Sequence, residues 1–172
     1  MRILVIDPGS QIMGIGVIDA KGNSAKHVFS ESLRLPKGDL PPRLARIFQR
    51  LEMVIEKFQP DLMAVEKVFL AKNPQAALTL GHARGAAILA GVNVGLPIHE
   101  YSATEIKKTI VGRGRADKSQ VQHMVKVLLN IRATLDVDES DALACAICHV
   151  HQQHSKHLIA KQSDLAARMK FQ

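Results

Sequence analysis

Four acids in this sequence stand where carboxylates could gather at one point: Asp7, Glu66, Asp138 and Asp141. Asp7 closes the apolar run Ile3-Leu4-Val5-Ile6, and Glu66 closes Leu62-Met63-Ala64-Val65. An acid ending a strand that is buried on both faces emerges at the carboxyl edge of a sheet, where open α/β sheets collect ligands. Asp138 and Asp141 lie three residues apart at the start of an apolar helix, so they share one helical face. Carboxylates held together repel one another unless a cation offsets them. Hard divalent ions such as Mg2+ or Mn2+ suit oxygen ligands, and two such ions ~4 Å apart assist an in-line displacement at phosphorus. The pattern points to metal-dependent phosphodiester cleavage. Asp138 or Asp141 taken alone is also an ordinary helix-capping acid; the two strand-end acids carry more weight.

Cations follow the same logic. Between residues 105 and 132, seven cations (Lys107, Lys108, Arg113, Arg115, Lys118, Lys126 and Arg132) face two anions, Glu105 and Asp117. A basic segment beside an acidic cluster is what a site for a polyanionic backbone needs. Lys118 opens a helix and could hold a phosphate or offset charge in the transition state. Lys107, Lys108, Arg113 and Arg115 are assigned to phosphate contact by their clustering, and Lys126 to solvent. Phe69 lies three residues past Glu66, in a loop beside the acidic edge. A Phe there could stack on a base, although the residue type by itself favours the core.

The elements that must position these groups are legible in part. Residues 3–7 read as a buried strand, 14–19 as a second, and about 26–35 as a third, giving an antiparallel meander. Asp39-Leu40-Pro41-Pro42 is a helix start. Leu44, Ile47, Phe48, Leu51, Val54, Ile55 and Phe58 then recur at helical spacing, up to Pro60. The next strand, 61–66, follows a helical crossover and should lie parallel to the first, which puts Asp7 and Glu66 on one edge. A helix rich in Ala and Gly runs from Pro74 to about Val92, then a strand over 96–100 and helices over 103–111, 118–129 and about 139–151. The small residues of the second helix suit either a dimer seam, which we favour, or close packing on its own sheet. From roughly Ser155 the chain is polar and basic, and reads as a tail or a frayed helix. The expected organisation is one nuclease domain over 1–155 and a basic C-terminal tail over 156–172.

Composition limits the alternatives. The 172 residues suffice for one full core. Hydrophobic residues at 47% and charged residues at 23% are those of a soluble globular chain. Aromatics at 3% exclude a broad stacking surface, and a net charge of +7 favours a polyanionic partner. The N-terminus lacks a signal-peptide pattern and no apolar run approaches ~20 residues, so no membrane association and a cytoplasmic location are expected. Cys145-Ala146-Ile147-Cys148-His149 matches the c-type haem pattern, but inside an apolar helix its cysteines read as small hydrophobes. His149, His151, His154 and His157 read as residues of a helix C-terminus, which favours partly cationic side chains, in preference to a zinc patch.

Taken together, these motifs resemble the RuvC family of Holliday-junction resolvases. The resemblance covers nearly the whole chain: Asp7-Pro8-Gly9-Ser10, Glu66-Lys67-Val68-Phe69 with Ala71-Lys72-Asn73, Gly81-His82-Ala83-Arg84-Gly85, Lys107 to Gly112, Lys118 to Met124, and Asp138-Glu139-Ser140-Asp141. It implies an α/β, ribonuclease-H-like fold: a mixed five-stranded sheet flanked by helices on both faces. It implies that Asp7, Glu66, Asp138 and Asp141 are the catalytic acids, binding Mg2+ (Mn2+ substituting), with two ions per site. It further implies that Lys107 and Lys118 serve junction binding or catalysis and that Phe69 acts on bases near the crossover. A homodimer on four-way junction DNA, a T-rich preference at the cut, and RuvA and RuvB as partners complete what it implies.

Two rival functions stay open at this point. Asp7-Pro8-Gly9-Ser10 with Gly14-Ile15-Gly16 also resembles the first phosphate loop of actin- and sugar-kinase-type ATP-binding domains. That class clamps its nucleotide between two domains, and it does not explain Asp138 and Asp141. The other rival is a junction-binding module of the same fold without catalysis. Nucleotide binding marks the former, and tight junction binding without cutting marks the latter.

Overall fold

A computed structural model describes residues 1–68, 73–112 and 117–169 of the chain. Its elements are β1 (Arg2–Asp7), β2 (Ile12–Lys21), β3 (Ser24–Arg34), α1 (Leu40–Phe58), β4 (Leu62–Lys67), α2 (Pro74–Val92), β5 (Ile98–Ser102), α3 (Ala103–Val111), α4 (Lys118–Leu128) and α5 (Val137–Met169). The five strands form one mixed sheet in the order β3-β2-β1-β4-β5. β1 runs antiparallel to β2 and parallel to β4, and β4 runs parallel to β5. This is the expected sheet, with helices on both faces.

Strand alternation divides the core. Leu4, Ile6, Ile15, Val17, Met63 and Val65 face α1 and α2. Ile3, Val5, Ile18, Leu62, Ala64 and Tyr101 face α3, α4 and α5. Consecutive residues of β1 belong to opposite layers, as a period of two requires for a strand covered on both sides. That is why β1 is apolar without interruption and why its first polar residue falls at the edge.

The last strand begins two residues later than the sequence reading placed it. Pro97 has no N–H for a ladder; its carbonyl accepts from Met63 N–H at 2.9 Å, and the strand proper starts at Ile98. At its other end Ser102 caps α3 in a capping box with Glu105. The final helix differs more. It does not stop near His151 but continues to Met169, and residues 142–150 are buried on every side across the sheet.

Gly14 and Gly16 allow that helix to come so close. Both lie on the β2 face that α5 covers. A Cβ on Gly14 would stand 2.8 Å from the Asp138 carbonyl carbon, and one on Gly16 would stand 3.0 Å from Leu143 Cδ2. Glycine here is required by approach distance, not by backbone conformation, since neither has a positive φ.

Candidate active site

The strand register puts the first two acids side by side. Ile6 of β1 pairs with Val65 of β4, so Asp7 and Glu66 leave the sheet as neighbours on one edge. Asp7 is also paired with Gly14 of β2, and Gly14 is the residue against which the Asp138 backbone rests. The β2 glycine thus sets how near the first turn of α5 comes to the strand-end acids. Asp7, Glu66 and Asp141 line one cleft of about 290 Å³, together with Lys107 from α3 and Lys118 from the start of α4. Asp138 does not line the cleft, yet its charge acts on Asp7.

Electrostatics record the crowding. Burial, then the charges of Glu66, Asp141 and Asp138, push the Asp7 carboxyl up to about 8 against the relief offered by Lys118. Burial and Asp141 raise Glu66 to about 7, with Lys118 and Lys107 opposing. The Lys118 ammonium donates to Asp141 Oδ2 at 3.1 Å, and this contact raises its own pKa. Its side chain remains 70% exposed, so it can reach a phosphate while paired. α4 is started by Asp117, whose carboxylate accepts from Gln120 N–H at 2.9 Å and so fixes the turn that carries Lys118.

The donor set is hard oxygen, partly desolvated and self-repelling, which a divalent cation would relieve. Among the described residues no three His, Cys, Asp or Glu side chains are gathered closely enough to enclose an ion by themselves. An open arrangement of one or two carboxylates per ion suits Mg2+, which keeps water and substrate oxygens among its ligands. The residues present fit that ion.

The structure also sorts the other candidates. Glu139 lies between Asp138 and Asp141 but turns back to accept from Asp136 N–H at 2.8 Å, capping α5 instead of facing the cleft. Lys108 is exposed on α3 and outside the cleft. Phe69, Arg113 and Arg115 lie outside the described residues. His149 does not behave as an exposed residue of a helix end. It is fully buried, its Nδ1 shares a 2.8 Å hydrogen bond with the Tyr101 hydroxyl, and burial lowers its pKa to about 4. Cys145 and Cys148 are free and buried in the same helix, as expected for small hydrophobes. Sequence reasoning meets Gly14 and Gly16 only as part of a phosphate-loop resemblance; glycine at every second position of a strand is the signal for the close helix approach seen here.

A mixed sheet in this order, with acids on the edge where its parallel strands end and a helix-borne acid brought across to them, defines a ribonuclease-H-like resolvase. Known proteins agree. The sequence matches the family described as Crossover junction endodeoxyribonuclease RuvC over residues 3–149, and the chain belongs to that family. Its relative from Citrifermentans bemidjiense is 53% identical over 156 residues, 88% of this chain and 93% of that one. The relative from Pectobacterium carotovorum subsp. carotovorum is 47% identical over 173 residues, 99% of this chain and 100% of that one. Among solved structures, T. thermophilus RuvC in complex with Holliday junction substrate superposes with a TM-score of 0.85 at 30% identity, covering 91% of this chain and 96% of that one. The protein is therefore a crossover-junction endonuclease that hydrolyses DNA phosphodiester bonds, and its family is one of metal-dependent nucleases. The ATP-binding alternative is set aside.

Proposed function

We propose that Asp7, Glu66, Asp138 and Asp141 hold two Mg2+ ions, which Mn2+ can replace, and that this site makes each of the paired, symmetric nicks that resolve a Holliday junction. The observation that carries the reading is the convergence of Asp7, Glu66, Asp141, Lys107 and Lys118, from five separate elements, on one cleft. When bound, the ions supply Lewis-acid chemistry, making water nucleophilic at neutral pH and offsetting charge at phosphorus. Asp7 and Glu66, fixed at adjacent strand ends, would hold the ions beside the reacting phosphate. Lys118, exposed while paired with Asp141, contacts a phosphate oxygen of the bound strand and offsets the charge that builds in the transition state. Lys107 and Lys108, with Arg113 and Arg115, hold flanking phosphates, and Phe69 acts on bases at the branch point.

A four-way junction has pseudo-two-fold symmetry, which a C2 homodimer would match with two equivalent sites. One stripe of α2 is used inside the subunit: Ala83, Ala87, Ala90 and Gly91 are buried, with Gly91 against Met63 and Ile98. The opposite stripe leaves Leu78, Gly81, Gly85, Leu89 and Val92 exposed, and this is the face we assign to the partner subunit. RuvA and RuvB are the further partners proposed, and the cytoplasm the compartment. Among the described residues no helix is long and apolar enough to cross a membrane.

The deciding experiment compares cutting of a mobile four-way junction with cutting of a linear duplex of the same sequence in Mg2+. Wild type should cut the junction selectively, and Asp7→Asn should bind it without cutting. Junction cutting by Asp7→Asn at the wild-type rate would show that the acids are misassigned.

A further inference from the structure

The sheet edge that carries the acids has a second cationic region on its other side. β3 runs toward the same edge as β1 and ends at Arg34, which pairs with Ile12 just beyond the Asp7–Gly14 pair. Past it, Arg34 and Lys37 meet Arg43 from the first turn of α1 around a pocket of about 430 Å³, completed by Gln11, Ile12, Leu35 and Pro36. Among the described residues no carboxylate lines this pocket, and the acid nearest the first turn of α1 is its N-cap, Asp39. Among the described residues none of the three cations forms an ion pair.

Arg43 is held in place. Its guanidinium donates to Ser10 O at 3.3 Å and to Gly38 O at 2.8 Å, while its Nε is buried without a partner. Ser10 belongs to the turn that leaves Asp7, so one side chain connects the catalytic loop to the wall of the pocket. Arg34 and Lys37 are exposed. Exposed, unpaired cations around a concave surface attract phosphate, and their distance from the acids sets which phosphate. Two strand spacings of ~4.8 Å separate β3 from β1, and Arg34 stands two residues (~3.4 Å each) beyond the level of Asp7, so it lies about 12 Å away. That span covers roughly three to four nucleotides of one strand at ~3.4 Å of helix axis each.

We propose that Arg34, Lys37 and Arg43 form a second binding site for the DNA backbone. It grips two neighbouring phosphates about three to four nucleotides from the cut, on the opposite side from Lys107 and Lys118. The acids then lie between two cationic clamps, and the strand is held at both ends across the edge. Arg43 fixes the loop and pocket geometry, whereas Arg34 and Lys37 supply the contact. This inference rests on DNA crossing the cleft described above.

The test is the salt dependence of four-way-junction binding by the full-length chain in EDTA, so that no cutting intervenes. Each phosphate contact contributes a slope of ~0.9 in log Kd against log salt. The double variant Arg34→Gln/Lys37→Gln should lower the slope by about 1.8 and weaken binding at 0.1 M salt by roughly sixty-fold relative to its effect at 1 M. Lys21→Gln/Lys26→Gln removes the same charge at the far end of the β2–β3 hairpin, where both residues are exposed, and should leave the slope unchanged. An unchanged slope in the first variant, or an equal fall in the second, overturns the proposal. Lys118→Gln separates this inference from the reading beneath it. If its slope stays at the wild-type value while Arg34→Gln/Lys37→Gln loses slope, the second site stands and the role given to Lys118 falls.

Discussion

Replacing Gly14 by alanine tests whether the strand–helix approach controls catalysis. The added methyl would stand 2.8 Å from the Asp138 carbonyl carbon, nearer still to its oxygen, and 3.2 Å from Ala142 Cβ. Ordinary contact begins at 3.4 Å, so β2 and the first turn of α5 must part by about 1 Å. Neither neighbour can yield by rotating a side chain, because the nearest atoms are backbone at a helix start. Overpacking of this kind costs about 1–3 kcal/mol of stability. The functional effect should be larger in proportion, since a ~1 Å misplacement of catalytic groups can lower a rate about 100-fold. The expected outcome is a folded protein with a modestly lower Tm, near-normal junction affinity, and cutting slowed by about two orders of magnitude at saturating Mg2+. Single-turnover cleavage of a four-way junction, with thermal melting alongside, reads both quantities. Wild-type cutting with a wild-type Tm would mean that the helix tolerates the methyl, and the account of how the acids are brought together would be refuted.

The remaining predictions concern charge and assembly. Asp7 has a folded-state pKa raised to about 8 from 3.8, so the folded chain holds its proton over a range where the unfolded chain has lost it. Metal-free stability should therefore fall as pH rises from about 4 to about 8, and Asp7→Asn should flatten that decline; an equally steep profile of Tm against pH in the variant would count against the crowding. Leu89→Glu places a charge on the exposed stripe of α2, where Leu89 is 57% exposed. It should shift sedimentation toward monomer and turn paired nicks into single ones. A variant that stays dimeric moves the interface elsewhere.

Much of the fold could be read locally. Uninterrupted apolar runs of four residues ending in an acid identified β1 and β4, because a strand covered on both faces cannot afford a polar residue until it leaves the sheet. Helical spacing with proline at the start identifies α1, and the helix read over 103–111 matches α3 to the residue, with Ser102 capping its start and Gly112 its end. α5 runs on to Met169, past the helix read over about 139–151, because nothing in Gln152-Gln153-His154-Ser155 breaks a helix and polarity alone does not end one. The stripe of small residues on α2 points to two surfaces at once, and burial shows that Ala83, Ala87 and Ala90 serve the subunit's own core.

By itself the sequence determined which strand-end residues reach the edge and the charge they bring, since both follow from a period of two and from residue type. Tertiary structure decided which of the clustered acids face the cleft. Asp136, Asp138, Glu139 and Asp141 are alike in composition, and α5 sorts them by rotation and capping: Glu139 caps the helix, Asp141 meets Lys118, and Asp138 rests its backbone on Gly14. It also decided that His149 is a buried neutral residue and that Arg34, Lys37 and Arg43 converge. Those outcomes depend on what packs across from each residue, which spacing along one chain segment cannot express.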